Sequence, residues 1–335
     1  MTSASLPTVD IALATYNGER FLAPFLDSLV AQTHEKIVLV VSDDGSTDRT
    51  AEILESYRDR LEIRFLGSAR RGVVGNFERA LAGCDADYVV LADQDDIWRA
   101  DKIERLVATA MEVERVTGRD QPVLVFSDLG LVTETLEVIA PSFFDATLKS
   151  IEARTLTDFA LDNHAPGCCT LANRTLLDLA LPFPEVTIHD WWINLLAAAA
   201  GTVAACPESL VDYRQHGGNA IGIGSAAASD ASKLRAVLTR PWAFIGSRIA
   251  NARKRADVAR TQLAALRLRL NERGRSVASR DVDPLMRSGM AELSKIFAGA
   301  RPGLRRFDLA LTLFFLGRRN RSALPAIETR DASDA

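Results

Sequence analysis

A chain of 335 residues can hold one large or two modest domains, and its 47% apolar content supplies a core and excludes general disorder. The net charge of −4 hides a division: residues 1–230 carry 18 Lys+Arg against 35 Asp+Glu, whereas residues 231–335 carry 22 against 9. No apolar run reaches about 18 residues, so no transmembrane helix is expected. Met1 to Pro7 lacks the basic and apolar parts of a signal peptide. Cys84, Cys168, Cys169 and Cys206 lack metal-ligand spacing and read as small buried residues in a reducing cytoplasm. No nucleic-acid partner is expected; a homodimer is compatible with the sequence.

Val9 to Thr15 reads as a buried strand, broken by Tyr16-Asn-Gly18. Apolar Phe21, Leu22, Phe25, Leu26, Leu29 and Val30 then recur at helical spacing to about Gln32. Lys36 to Val41 is a second strand, ending in Ser42-Asp-Asp-Gly-Ser-Thr-Asp48, where Ser46 or Thr47 is placed to cap a helix through Tyr57. Leu61 to Leu66 is a third strand, and Gly72 opens a helix to about Ala82. Strand–helix alternation every 25–30 residues or so predicts a mostly parallel central sheet with helices on both faces.

The fourth strand, Tyr88 to Ala92, runs straight into Asp93, Asp95 and Asp96. Three acids within four residues repel one another and call for solvent or a cation. The carboxyl edge of an open α/β sheet is where ligands bind, and a hard cation commonly joins carboxylates to phosphates there. The same spacing also fits an acidic helix N-terminus with Asp96 as N-cap, which is the reading taken for Asp96.

Arg99 to Val116 is a helix, and Pro122 to Ser127 a fifth strand with Asp128 at its end. Leu156 to Leu161 is a short helix, Gly167 to Ala172 a strand, and Asn173 starts a helix. Ile188 to Leu196 starts another helix with Asp190 in its first turn. Strands are expected at Gly201 to Ala205 and from Leu210 to the Gly217 turn. Ile221 to Ser229 reads as a linker, Ile249 to Leu270 as a helix, Gly303 to Gly317 as an amphipathic basic helix, and the tail from Pro325 as disordered. The catalytic domain is set at residues 1–225. Residues 226–335 form a basic helical region that either meets a membrane or packs on that domain.

Four motifs occur in one order: Ala14-Thr-Tyr-Asn-Gly18, Val41-Ser-Asp-Asp-Gly-Ser-Thr-Asp48, Leu91-Ala-Asp-Gln-Asp-Asp-Ile-Trp98 and His189-Asp-Trp-Trp192. Together they resemble glycosyltransferase family 2, inverting enzymes with the A-type nucleotide-sugar fold. With Tyr213-Arg-Gln-His-Gly217 they look most like the bacterial rhamnosyltransferase-like members. The resemblance spans residue 8 to about 220 and omits the basic C-terminal region.

The resemblance implies a role for each residue. Thr15, Tyr16, Asn17 and Glu19 surround the nucleotide, with Tyr16 against the base, and Asp44 accepts the ring N–H of uracil or thymine. Asp43-Asp44-Gly45 also fits an ordinary tight turn. Gly72 and Asn76 approach the nucleotide. Asp93 lies near the ribose or the metal's water shell, Asp95 binds Mg²⁺ or Mn²⁺, and His216 is a further metal or diphosphate contact. Asp190 is the general base, since inverting transfer needs one group to take the acceptor's proton. Trp191 offers a flat face to sugar, with core packing expected for one of Trp191 and Trp192. His189 departs from the usual acid of relatives, and no role is assigned to it. The implied activity is transfer of a sugar, best guess L-rhamnose, from a dTDP- or UDP-sugar to a cell-surface glycan or lipid-linked acceptor. The enzyme would lie peripherally on the inner face of the cytoplasmic membrane. Two rivals are a nucleotide-sugar-forming nucleotidyltransferase, whose glycine-rich basic loop is not seen near strand one, and a non-catalytic glycan-binding scaffold.

Overall fold

The computed structural model describes residues 6–147, 149–152, 155–186, 188–217, 241–275 and 312. Strands β1 (Val9–Thr15), β2 (Ile37–Asp43), β3 (Ile63–Ser68) and β4 (Tyr88–Asp93) lie parallel in the order β3-β2-β1-β4. Helices α1 (Leu22–Val30), α2 (Thr50–Ser56) and α3 (Gly72–Ala82) make the crossovers. Val9 to Leu13 and Val89 to Ala92 are at most 1% exposed, so side chains on both faces of these strands are covered. That is why the strands read as unbroken apolar runs. On α1 the stripe Leu22, Phe25, Leu26 and Leu29 faces the core, as the 3.6-residue period demands.

Beyond β4 the sheet continues through β8 (Thr170–Asn173), β6 (Val123–Val132), β9 (Thr202–Arg214) and the two-residue β5 (Ile97–Trp98), with β7 (Val138–Ala140) paired to β6. β8 runs antiparallel to both β4 and β6, whereas β6 and β9 are parallel. The α/β class with a mostly parallel sheet therefore holds, and β8 is the exception at its centre.

Several local expectations are corrected. The two strands expected at 201–205 and from 210 are one strand, β9, whose register slips between Ser127↔Cys206 and Asp128↔Ser209. Pro207 sits in that slip, where its missing N–H is tolerated. Asp128 lies within β6 rather than at its end, and its Oδ1 accepts the Phe143 amide at 3.1 Å at the start of α5 (Phe143–Ala146). Residues 167–169 form a 3₁₀ turn before β8. α2 starts at Thr50, because the Ser46 hydroxyl is taken by Asp43 and the Asn17 amide, while Asp48 accepts from the Thr50 amide. Asp96 does not cap a helix: β5 intervenes, and α4 (Lys102–Thr117) begins after Asp101. α6 (Leu156–Ala160), α7 (Arg174–Ala180) and α8 (His189–Ala200) fall where expected, with Asn173 Oδ1 capping α7 through the Leu176 amide at 3.0 Å.

The basic helix α9 (Pro241–Glu272) buries Ala252, Ala256, Ala259, Leu263, Leu266 and Leu270 and packs against α6 and α8. Its anchor is Arg269. The guanidinium donates to the carbonyls of Leu179 and Ala180, both at 2.8 Å, and of Pro182 at 2.5 Å, at the end of α7. Among the described residues no helix is long and apolar enough to cross a membrane. The expected linker at 221–229, the helix at 303–317 except Thr312, and the tail lie outside the described residues. Arg269→Met leaves three carbonyls without their donor and is expected to lower stability by about 2–3 kcal/mol in urea titrations. An unchanged midpoint would mean that α9 is not anchored there.

Candidate active site

The carboxyl ends of β1, β2 and β4 meet at one edge. Thr15 ends β1 fully buried, and its hydroxyl donates to Asp43 Oδ1 at 2.9 Å. Asp43 also accepts from the Gly45 and Ser46 amides and the Ser46 and Ser68 hydroxyls. Burial alone raises its pKa, but the bonds from Ser46, Ser68 and Thr15 outweigh burial and hold it below the usual carboxylate range. Asp43 thus shapes the turn. Asp44 is different: its Oδ1 accepts the amides of Arg71 and Gly72 at 2.5 and 3.0 Å, tying the β2 end to the start of α3. Gly72 has φ +69°, a conformation that suits glycine.

The β1 loop is fastened from two sides. Asn17, at φ +45°, accepts the Thr47 amide through Oδ1 at 2.9 Å, and Glu19 Oε2 accepts the Arg49 amide at 3.1 Å. Gln94 brackets Tyr16: its Oε1 takes the Tyr16 amide at 3.0 Å and its Nε2 donates to the Tyr16 carbonyl at 2.9 Å. A Cβ on Gly18 would come within 2.3 Å of Gln94 Oε1, so this position needs a bare backbone. The Tyr16 ring itself stays 56% exposed beside the cleft. Asn76 is buried and donates to the Thr15 carbonyl at 3.1 Å, with its Oδ1 unpartnered.

The acidic loop splits into three environments. Asp95 Oδ2 meets His216 Nε2 at 2.7 Å, and the His216 ring lies on Phe21 at 4.7 Å between centroids. Asp96 is fully buried, takes the Arg214 amide at 3.3 Å, and has Oδ2 unpartnered; burial and the charges of Asp95 and Asp93 push its pKa well up. Asp93 is half-buried, and burial, Asp95 and Asp190 raise it to about 7, against the opposing pull of Lys102. Lys102 is wholly buried beside them, and burial drops its own pKa to about 7. Arg214 locks the loop from β9, its Nε donating to the Asp95 carbonyl at 2.8 Å.

Asp190 starts α8 and is 6% exposed. Its Oδ1 accepts from Asn163 Nδ2 at 3.0 Å and from the Trp191 amide at 2.7 Å, and its Oδ2 accepts the Gly167 amide at 2.9 Å. The Cys168 thiol lies against Asp93 and Asp96, and the adjacent Gly167 amide holds Asp190 Oδ2, so Asp190 is brought close to the acidic loop; Asp93 feels the charges of both Asp95 and Asp190. Trp192 is core, its indole N–H bonded to the Ala180 carbonyl at 3.1 Å. Trp191 is also mostly buried, with its N–H on the Phe159 carbonyl at 2.5 Å, leaving little of the ring toward the cleft. His189 stacks on Phe77 with centroids 3.7 Å apart.

A divalent cation needs hard donors that remain within reach of solvent. Asp95 and His216 keep 15% and 12% of their side chains exposed beside half-buried Asp93. Carboxylate oxygens suit Mg²⁺ or Mn²⁺, and the imidazole nitrogen of His216 suits a transition ion such as Mn²⁺ better than Mg²⁺. A second cluster, Asp93, Asp96 and Cys168, has ligand atoms within 4.8 Å of one another. It fits a hard cation poorly, because the thiol is soft, burial pushes its pKa far up, and the Lys102 ammonium lies against it.

The sequence model of "Glycosyl transferase family 2" matches residues 10–177, half of the chain. The chain belongs to glycosyl transferase family 2. Among its relatives, a dTDP-rhamnosyl transferase, RfbG of Shigella flexneri, is 26% identical over 258 residues, 72% of this chain and 84% of its own. A UDP-Glc:alpha-D-GlcNAc-diphosphoundecaprenol beta-1,3-glucosyltransferase, WfaP of Escherichia coli, is 25% identical over 63% of this chain and 78% of its own. Among solved structures, S. aureus TarS 1-349 is 18% identical, covers 92% of this chain and 90% of its own, and has a TM-score of 0.51, which shows the A-type glycosyltransferase fold. This family 2 glycosyltransferase therefore acts on a nucleotide-sugar donor.

Sequence reasoning missed Gln94, Arg214, Lys102, Asn163 and Gly167. Gln94 and Arg214 had a signal, the first between two acids in the Asp-Gln-Asp motif and the second within Tyr213-Arg-Gln-His-Gly217. Asp43→Ala removes five hydrogen bonds and is expected to cost about 2–4 kcal/mol, whereas Asp44→Ala loses a helix cap of about 1 kcal/mol. Since the Asp43 pKa is lowered, its contribution is complete above the ordinary 3.8 and fades as pH falls through the depressed value. Acid unfolding followed by circular dichroism checks this: Asp43→Asn should be less stable at neutral pH and lose less on acidification.

Proposed function

We propose that this enzyme transfers a sugar, with inversion, from a nucleoside-diphosphate donor to a hydroxyl of a cell-surface glycan or lipid-linked acceptor. The observation that carries the proposal is the approach of the Gly167–Cys169 turn, which holds Asp190, to Asp93 and Asp96 of the acidic loop, so that one acid can serve the diphosphate and another the incoming alcohol. Tyr16 and Asp44 Oδ2 are assigned to the base, the carboxylate accepting the ring N–H of uracil or thymine. Thr15, Asn17, Glu19, Gly72 and Asn76 shape the nucleotide cleft, and Asp93 faces the ribose side.

Asp95 and His216 are the proposed ligands of Mg²⁺ or Mn²⁺, which when bound supplies Lewis-acid stabilisation of the charge on the departing diphosphate. Arg214 keeps Asp95 aimed by holding its carbonyl. Asp190 acts as the general base. Three donors fix its plane, and Oδ2, with one bond, has a lone pair left for the acceptor O–H. The donor dTDP-L-rhamnose is favoured by the likeness to the dTDP-rhamnosyl transferase of Shigella flexneri, and a lipid-linked acceptor by the likeness to the diphosphoundecaprenol glucosyltransferase of Escherichia coli. The 22 basic residues after 230, with Arg253, Lys254 and Arg267 exposed on α9 and Arg273 exposed just beyond it, support peripheral contact with anionic lipid on the cytoplasmic face.

The direct test incubates the full chain with Mn²⁺ and a panel of nucleotide sugars and measures released nucleoside diphosphate. Asp190→Asn is expected to bind dTDP or UDP normally and lose turnover; full turnover would remove the base assignment. Asp93 ionises as pH rises through about 7 and adds negative charge beside Asp95, so Mn²⁺ affinity is expected to rise as pH passes upward through that value. Calorimetry that finds one affinity on both sides of neutrality would contradict a cation at this carboxylate group.

A further inference from the structure

Lys102 lies at the start of α4 with no exposed surface. A lysine is almost never wholly withdrawn from water unless its ammonium is held by specific partners. Two are definite. Nζ sits 3.1 Å from the centroid of the Trp98 ring, and it donates to the Cys168 carbonyl at 2.6 Å. Trp98 ends β5, the strand that follows Asp95 and Asp96. Cys168 belongs to the 167–169 turn, whose Gly167 amide holds Asp190 Oδ2 at 2.9 Å. The turn presses on α8: a Cβ at Gly167 would lie 3.2 Å from Asp190 Cβ and 3.4 Å from His189 Nε2.

We propose that Lys102 is a positioning residue that joins the two halves of the site, fixing the Gly167 turn against Trp98 so that Asp190 keeps its place relative to the acidic loop. An apolar side chain of equal length would fill the volume without the cost of burying a charge. It would offer the Cys168 carbonyl no donor, and the turn would be held only through its own bonds. The kinetic part of the inference rests on the reading of Asp190 as base.

The test uses the full chain carrying Lys102→Met. Hydrogen exchange followed by mass spectrometry is expected to quicken in peptides covering 166–170 and the first turn of α8, with β1 and β2 unchanged. Wild-type exchange in those peptides would overturn the proposal. With the donor selected by the panel, and water as acceptor, kcat is expected to fall about 10- to 100-fold at constant donor KM. Combined with Asp190→Asn, Lys102→Met should cause no further loss; losses that multiply would mean that the lysine does not act through Asp190. Full turnover by Asp190→Asn alone would instead overturn the base assignment, while the exchange data still decide the role of Lys102. If Lys102→Met does not fold, Gly167→Ala disturbs the same turn with Lys102 intact. It is expected to lower kcat at constant donor KM, and wild-type kcat would overturn the proposal.

Discussion

Repulsion among Asp93, Asp95 and Asp96 is the constraint around which the molecule is arranged. Like charges this close cannot all stay ionised without compensation. The protein answers with a different device for each. Asp96 is buried and its ionisation suppressed, Asp95 is set against His216, and Asp93 is left intermediate between Lys102 and the carboxylates on either side. Each device comes from a different part of the chain: Arg214 and His216 from the end of β9, Lys102 from α4, and the Cys168 turn from before β8. The charge problem at one strand end thereby draws distant elements into contact.

The parallel half was legible because β1, β2 and β4 are buried on both faces and all four strands end in polar residues, so period and punctuation agree. The site acids were legible for the same reason, since a strand end fixes where Asp44 and Asp93 must lie. Asp96 was misread as a helix cap because β5 is only two residues long and exists through its pairing with β9, more than a hundred residues later. A short apolar pair carries no period of its own. Asp128 was misread because a register slip lets β6 run past it.

The roles of Lys102 and Arg214 were hidden for a different reason. Their hydrogen-bond partners, Cys168 and Asp95, are 66 and 119 residues away, a pairing that the local sequence does not show. Only packing shows that one lies on Trp98 and the other over Phe21, at 3.1 and 4.8 Å from the ring centroids. Arg269 is a third case. Its helix reads as basic and available to lipid, yet this one guanidinium turns inward to the end of α7 and lies 5.7 Å from the Trp192 ring, two residues from Asp190. The basic region thus both exposes charge and braces the helix that carries the candidate base.

The antiparallel strand explains how the two halves of the site meet at all. A chain entering a parallel strand beside β4 would approach from the amino edge, so the residues before it would lie far from Asp93. β8 runs the other way, pairing Val90 with Leu171 and Tyr88 with Asn173. Its approach therefore passes the carboxyl edge, and the Gly167–Cys169 turn arrives beside the acidic loop. Asn173, at the far end, can then cap α7 and lead toward α8, which brings Asp190 back against that turn. One reversed strand of four residues thus brings the helix that carries Asp190 to the edge where three parallel strand ends meet, placing a carboxylate on a helix near carboxylates on the sheet rim.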